Sequence, residues 1–163
     1  VNHEQGTTYA DDGATASDTV GGTMTVTVTG SVVTGTAGTY TLTYTVTDGA
    51  GNAATAVTRT VVVADTIAPV ITLAGLASVN HEQGTTYADD GATASDTVGG
   101  TMTVTVTGSV VTGTAGTYTL TYTVTDAAGN NATQVTRTII VTSVAALSGF
   151  ALPKMVNIIE TKE

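Results

Sequence analysis

Polar and apolar residues alternate along most of the chain. Thr101-Met102-Thr103-Val104-Thr105-Val106-Thr107 does so without a break, and Thr117-Tyr118-Thr119-Leu120-Thr121-Tyr122-Thr123-Val124-Thr125 continues for longer. A period of two sends successive side chains to opposite faces of a strand. Met102, Val104 and Val106 therefore share one face, as do Tyr118, Leu120, Tyr122 and Val124. Thr and Val are β-branched and suit a pleated, half-buried surface. Thr136-Arg137-Thr138-Ile139-Ile140-Val141 and Pro69-Val70-Ile71-Thr72-Leu73 read as further strands, with turns at Gly99-Gly100, Gly113, Gly116 and Gly129. No segment sustains a helical period. The pattern predicts an all-β protein in which about seven short strands form an antiparallel sandwich.

The alternation is written twice. Val1 to Asp48 recurs letter for letter as Val79 to Asp126, and Gly49 to Val63 is matched by Ala127 to Val141 with a few conservative changes. This spacing exceeds the roughly 20–50 residues of solenoid repeats, so each copy is a candidate domain. The expected division is a first sandwich over 1–64, a second over 65–142 and a tail over 143–163.

The two copies are not equally complete. Residues 64–78 run into the second copy and include the strand Val70 to Leu73, whereas the first copy starts at Val1 with no counterpart. The first sandwich is therefore expected to lack its opening strand, leaving an unpaired edge and an apolar groove. The tail matches nothing upstream, yet it holds a strand-like run at Met155-Val156-Asn157-Ile158-Ile159. One reading is head-to-tail self-assembly, with Met155, Val156, Ile158 and Ile159 inserted into the first sandwich of the next copy. Such a contact does not close and propagates as a filament. The other reading is a piece of a longer protein, with the tail opening a different domain; Val1 in place of Met fits that or a processed chain.

The order DTIAPVITL, VNHEQGTTYADDGATASD, GTYTLTYTVTDAAGN and TRTIIV resembles the bacterial immunoglobulin-like repeats of surface proteins and adhesins. Repeats of this kind also occur in crystal toxins and are loosely hyalin-like. The resemblance covers Asp65 to Val141 completely and Val1 to Val63 without the opening strand. It implies tandem immunoglobulin-like antiparallel β-sandwiches, used as spacers or adhesive modules in secreted proteins, and no catalytic activity. Antibody-type domains are a poor fit, since Trp and Cys are both absent.

Charge narrows the partners. The formal net charge is -9, from 13 acids against 4 bases, which argues against nucleic acid and a basic membrane-surface module. No apolar stretch is long enough to span a bilayer. Without cysteine there is no disulfide or thiolate metal site. His3-Glu4 and His81-Glu82 lack the second histidine of a zinc-protease motif and read as surface residues. Asp11-Asp12 and Asp89-Asp90 read as solvated turns. Both lysines, Lys154 and Lys162, lie in the tail, so no lysine isopeptide bond forms within a repeat. Ice binding by the threonine ladders is disfavoured because sandwich sheets twist.

The acids also offer a candidate metal site. In a sandwich of this order, Asp96, Asp126 and Asn130 fall in turns at the end of the domain where linker Asp65 arrives, and calcium prefers such oxygen donors. The simpler role for these residues is to cap their own turns. Asn131-Ala132-Thr133 is a candidate N-glycosylation sequon. The sequence thus points to a non-enzymatic, extracellular cell-surface protein, a subunit or segment of a filament or adhesin stalk. Its expected partner is another copy of itself, with a host or cell-surface ligand as a further candidate and no membrane insertion. The competing reading is a carbohydrate- or ligand-binding adhesin module, or an accessory spacer of a larger secreted protein. Sugar stacking would want exposed aromatics, and Tyr40, Tyr44, Tyr118 and Tyr122 lie on apolar strand faces.

Overall fold

The computed structural model describes residues 1–143. The assembly residues expected in the tail, Met155, Val156, Ile158 and Ile159, lie outside the described residues. The described residues form thirteen strands: β1 Asn2–Glu4, β2 Ala16–Asp18, β3 Gly22–Met24, β4 Thr27–Thr29, β5 Gly38–Thr45, β6 Val57–Ala64, β7 Val70–Leu73, β8 Ser78–Glu82, β9 Ala92–Asp96, β10 Gly100–Met102, β11 Thr105–Thr107, β12 Gly116–Thr123 and β13 Val135–Thr142. The fold is all-β and sandwich-like, and each sheet takes its strands from a single repeat. Among the described residues no helix is long and apolar enough to cross a membrane.

The second repeat has two sheets, β11-β12-β13-β8 and β10-β9-β7. β12 and β13 run antiparallel from Gly116↔Val141 to Tyr122↔Val135. β8 then adds parallel to β13, while β7 adds antiparallel to β9 from Val70↔Ser95 to Leu73↔Ala92. The chain thus crosses from one sheet to the other between Leu73 and Ser78. Gly75, at φ +74°, makes that turn against the Asp90 carboxylate, where a side chain would collide.

Between the sheets lies one apolar cluster: Leu120, Tyr122, Val124, Ile139 and Val141 meet Ile71 and Ala94. Burying a Val, Leu or Ile side chain is worth about 1.5–3 kcal/mol, so this cluster contributes substantially to holding the two sheets together. Leu73, Ala92, Val104, Ala132 and Val135 pack around them, partly buried.

One expected strand is divided. Thr101 to Thr107 forms β10, paired with β9, and β11, paired with β12, with a break at Thr103-Val104. These pairings belong to different sheets, so the chain leaves one sheet and joins the other within an unbroken alternating pattern.

The first repeat reproduces six of these seven strands. β1 to β6 stand where β8 to β13 stand in the second, and β7 has no counterpart. Its sheets are β1-β6-β5-β4 and a lone hairpin β2-β3. Its buried apolar residues are Leu42, Tyr44, Val61 and Val63.

Candidate functional site

Two places stand out once the repeats are superposed by sequence. The first is the free edge of β2. There an apolar groove of about 270 Å³ opens, lined by Ala14, Ala16, Tyr44, Val46, Ala54 and Val57 among others. Their counterparts 78 positions later are Ala92, Ala94, Tyr122, Val124, Ala132 and Val135, and every one belongs to or packs on the cluster that contains Ile71 and carries Leu73 against it. The groove is thus the bed that β7 fills in the second repeat. The difference between the repeats shows in its walls: Ala94 is buried whereas Ala16 is only half-buried, and Val57 is 63% exposed.

An arginine reports on the same difference. Arg137 is completely buried. Its Nη1 donates to Asp89, its Nη2 to the carbonyls of Ala74 and Gly91, and its Nε to the Leu76 carbonyl at 2.9 Å. The Tyr122 hydroxyl also donates to Asp89, at 2.8 Å. Burial and the neighbouring Asp89 carboxylate push the Tyr122 phenol up to about 12. Arg59 keeps the shared part, bonding Asp11 and the Gly13 carbonyl at 3.0 Å, but its side chain is 25% exposed. Asp11 and Asp89 are exposed, as the sequence reading expects, but their carboxylates are engaged by side chains as well as by solvent. Each carboxylate clasps a strand arginine and a core tyrosine, because a guanidinium in the interior requires a paired anion and satisfied donors.

The second place is the entry to the second repeat. Carboxylate oxygens of Asp65, Asp96 and Asp126 lie within 4.8 Å of one another. Each acid arrives by its own local route. Asp96 is the last residue of β9 and accepts from the backbone N–H groups of Val98 and Gly99 at 2.7 and 3.0 Å. Asp126 accepts the Asn130 backbone N–H at 2.7 Å, and Asp65 comes from the linker after β6. Asn130 Nδ2 donates to Asp126 Oδ2 at 2.8 Å and to the Asp65 carbonyl at 3.1 Å, so this side chain braces the cluster. The capping role holds for Asp96 and Asp126, yet one oxygen of Asp65 and one of Asp96 are buried without a hydrogen-bond partner.

The electrostatics match this crowding. Burial and the charges of Asp96 and Asp126 hold the Asp65 carboxyl above its ordinary value. Asp96 is lowered by the backbone donors of Gly99 and Val98. At Asp126 burial acts upward, but the Asn130 side-chain and backbone donors prevail and lower it. The first repeat contributes Glu4, whose carboxylate accepts from the Thr66 backbone and hydroxyl in the linker. Sequence reasoning missed Glu4, because a contact across 62 residues leaves no local signal. Asp18, Asp48 and Asn52 repeat the turn geometry without a linker acid. Asn131 is exposed, and its side-chain oxygen accepts from the Thr125 hydroxyl at 2.6 Å.

The fold and repeat pattern define a tandem of bacterial immunoglobulin-like units. The chain belongs to the family described as bacterial surface protein, Ig-like domain, which it matches over residues 1–63 and 71–141. No curated protein sequence matches it. Among solved structures it is similar to a lipoprotein from Bacteroides thetaiotaomicron, at 28% identity and a TM-score of 0.43. That match covers 48% of this chain and 39% of the lipoprotein, so the chain corresponds to well under half of that protein's length.

Proposed function

We propose that this chain is a structural segment of an extracellular, cell-surface filament or adhesin stalk, and that it has no catalytic role. Copies join head to tail: the C-terminal segment of one molecule lies along β2 of the next, with Met155 to Ile159 taking the place that β7 holds in the second repeat. The observation that carries this reading is the contrast between near-identical repeats. One has Ile71 and Leu73 over its apolar bed, and the other leaves the same bed open. Strand addition supplies main-chain hydrogen bonds and buries alternate side chains, so it suits this edge. The membership of a bacterial surface-protein family supports the location.

The test is electron microscopy of the purified chain beside a version ending at Thr142. Filaments from the first and single particles from the second support the tail as the donated strand. Single particles from both remove head-to-tail assembly and leave the stalk segment of a longer surface protein.

A second reading concerns the junction acids, favoured by the two orphaned buried oxygens of Asp65 and Asp96. A calcium ion bound by Asp65, Asp96 and Asp126 would satisfy both and offset three crowded negative charges. Asn130 would hold Asp126 in place, and the bound ion would stiffen the entry to the second repeat. At a calcium concentration 100-fold above its Kd, such a site adds about 2.7 kcal/mol to stability. Thermal unfolding in calcium, in magnesium and in chelator checks this. A calcium-selective rise in Tm that Asp96→Asn removes supports the site; identical curves in all three eliminate it.

A further inference from the structure

The groove at β2 has a polar end as well as an apolar bed. In the second repeat, Arg137 spends two of its donors on the carbonyls of Ala74 and Leu76, the first and third residues after β7. In the first repeat, Arg59 has the matching bonds to Asp11 and to Gly13, the counterpart of Gly91. Among the described residues its Nε makes no hydrogen bond to a carbonyl, and the Tyr9 side chain neighbours the guanidinium as Tyr87 does at Arg137. Arg59 and Arg137 also sit alike over their tyrosines, 5.5 Å from the Tyr44 ring and 5.7 Å from the Tyr122 ring. The two guanidinium groups thus differ by the carbonyls that a strand beside β2 would bring.

We propose that Arg59 is a docking residue for the incoming strand, binding the main-chain carbonyls one and three residues beyond that strand's second inward side chain. This deepens the head-to-tail reading and rests on it for the occupant, the C-terminal segment of a second copy. Ile71-Thr72-Leu73 presents an apolar, polar, apolar triplet whose outer members point inward. Val156-Asn157-Ile158 has the same pattern. In that register the carbonyls of Ile159 and Thr161 meet Arg59, and the chain runs on to Glu163, long enough to supply both. Charge agrees. Residues 144–163 hold Lys154 and Lys162 against Glu160 and Glu163, net zero, whereas the rest of the chain carries the whole -9. A guanidinium fork fixes two carbonyls at defined positions, so Arg59 sets how far the strand slides and requires residues after it.

The test uses the full chain with its own tail disabled by Val156→Lys and Ile158→Lys, titrated with three peptides by calorimetry. Two copy the second repeat's opening strand, residues 65–73 and 65–78; the third is residues 150–163. The expected result is that the 65–78 peptide binds at least tenfold tighter than the 65–73 peptide, since one charge-assisted hydrogen bond alone is worth about that much. Arg59→Gln is expected to remove that difference while the 65–73 peptide still binds. Arg59→Lys, which keeps the charge beside Asp11, is expected to remove it too. An unchanged ratio in both variants overturns the assignment of Arg59, and so does failure of every peptide to bind the parent chain. If the 65–78 peptide shows the Arg59-dependent gain and residues 150–163 do not bind, Arg59 stands and the tail is not the occupant.

Discussion

Arg137 sits at an inward position of its strand, with Val135, Ile139 and Val141 on the same parity, and it is more deeply buried than most of the apolar residues around it. The sequence reading treats Thr136 to Val141 as a strand and does not anticipate a buried charge in it. The partner of that charge was not legible either, because Asp89 lies 48 residues away and reaches it only through the fold. Removing one member of a buried pair strands the other along with the carbonyls it served. Arg137→Ala is therefore expected to destabilise the second repeat by about 3–5 kcal/mol in urea unfolding. Arg59→Ala should cost clearly less in the unassembled chain, because Arg59 is partly exposed and serves fewer groups. Equal losses would mean that the Ala74 and Leu76 carbonyls add nothing. Asp65 gives a second residue-scale prediction. Its folded-state value lies above the ordinary one, so without metal the folded chain holds this proton more tightly than the unfolded chain does. Its contribution is fully present below the ordinary carboxylate value and is lost as pH rises through the raised one. In chelator at neutral pH, Asp65→Asn should raise Tm, and in saturating calcium it should lower it. A change of the same sign in both would sink the calcium reading.

Identical sequence does not give identical elements here. Ala92–Asp96 forms a five-residue strand, whereas the same letters in the first repeat form strand only over Ala16–Asp18. The difference is the partner: β9 lies between β10 and β7, and β2 pairs with β3 alone. Strand propensity was legible from the threonine and valine alternation, but strand length is set by pairing, which local sequence does not encode. The break at Thr103-Val104 escaped the pattern for a related reason, since a switch between sheets leaves the parity of the side chains intact. Ile71→Ala removes the main inward anchor of β7 and is expected to cost about 2–5 kcal/mol. It should also speed amide exchange across Ala92 to Asp96 towards the rates of Ala14 to Asp18. Loss of stability without that change would mean β7 does not hold β9 in strand form. Gly108 gives an independent check on the close approach of β11 and β12. At φ +100° it faces the Thr119 carbonyl where a Cβ would collide, so Gly108→Ala should destabilise by about 1–3 kcal/mol. Gly30→Ala should match it, because the same contact to the Thr41 carbonyl occurs in the first repeat. A neutral effect at either position would refute the close approach there.

At the scale of the molecule, the duplication and the sandwich class were both legible, because each is a statement about pattern and count. The convergence of Asp65 with Asp96 and Asp126 was anticipated from turn positions, while the contribution of Glu4 to the linker emerged only in three dimensions. The proposed assembly adds an expectation that no single repeat could show. The two repeats share their sequence almost throughout, so a difference in their protection reports on the extra strand and little else. In dispersed molecules the first repeat buries Leu42, Tyr44, Val61 and Val63, while the second adds Ile71, Ala94 and Val124 to the matching set. Hydrogen exchange should therefore be faster in β5 and β6 than in β12 and β13, because exchange from paired strands follows the free energy of opening. On insertion of a tail from the next copy, β5 and β6 should slow towards the second repeat's rates, while β12 and β13 barely change. The comparison is made by mass spectrometry on the chain ending at Thr142 and on the assembled full chain. Equal protection of the two repeats in the shortened chain would show that the first sandwich needs no added strand. Persistent inequality in filaments would place the contact between copies away from β2.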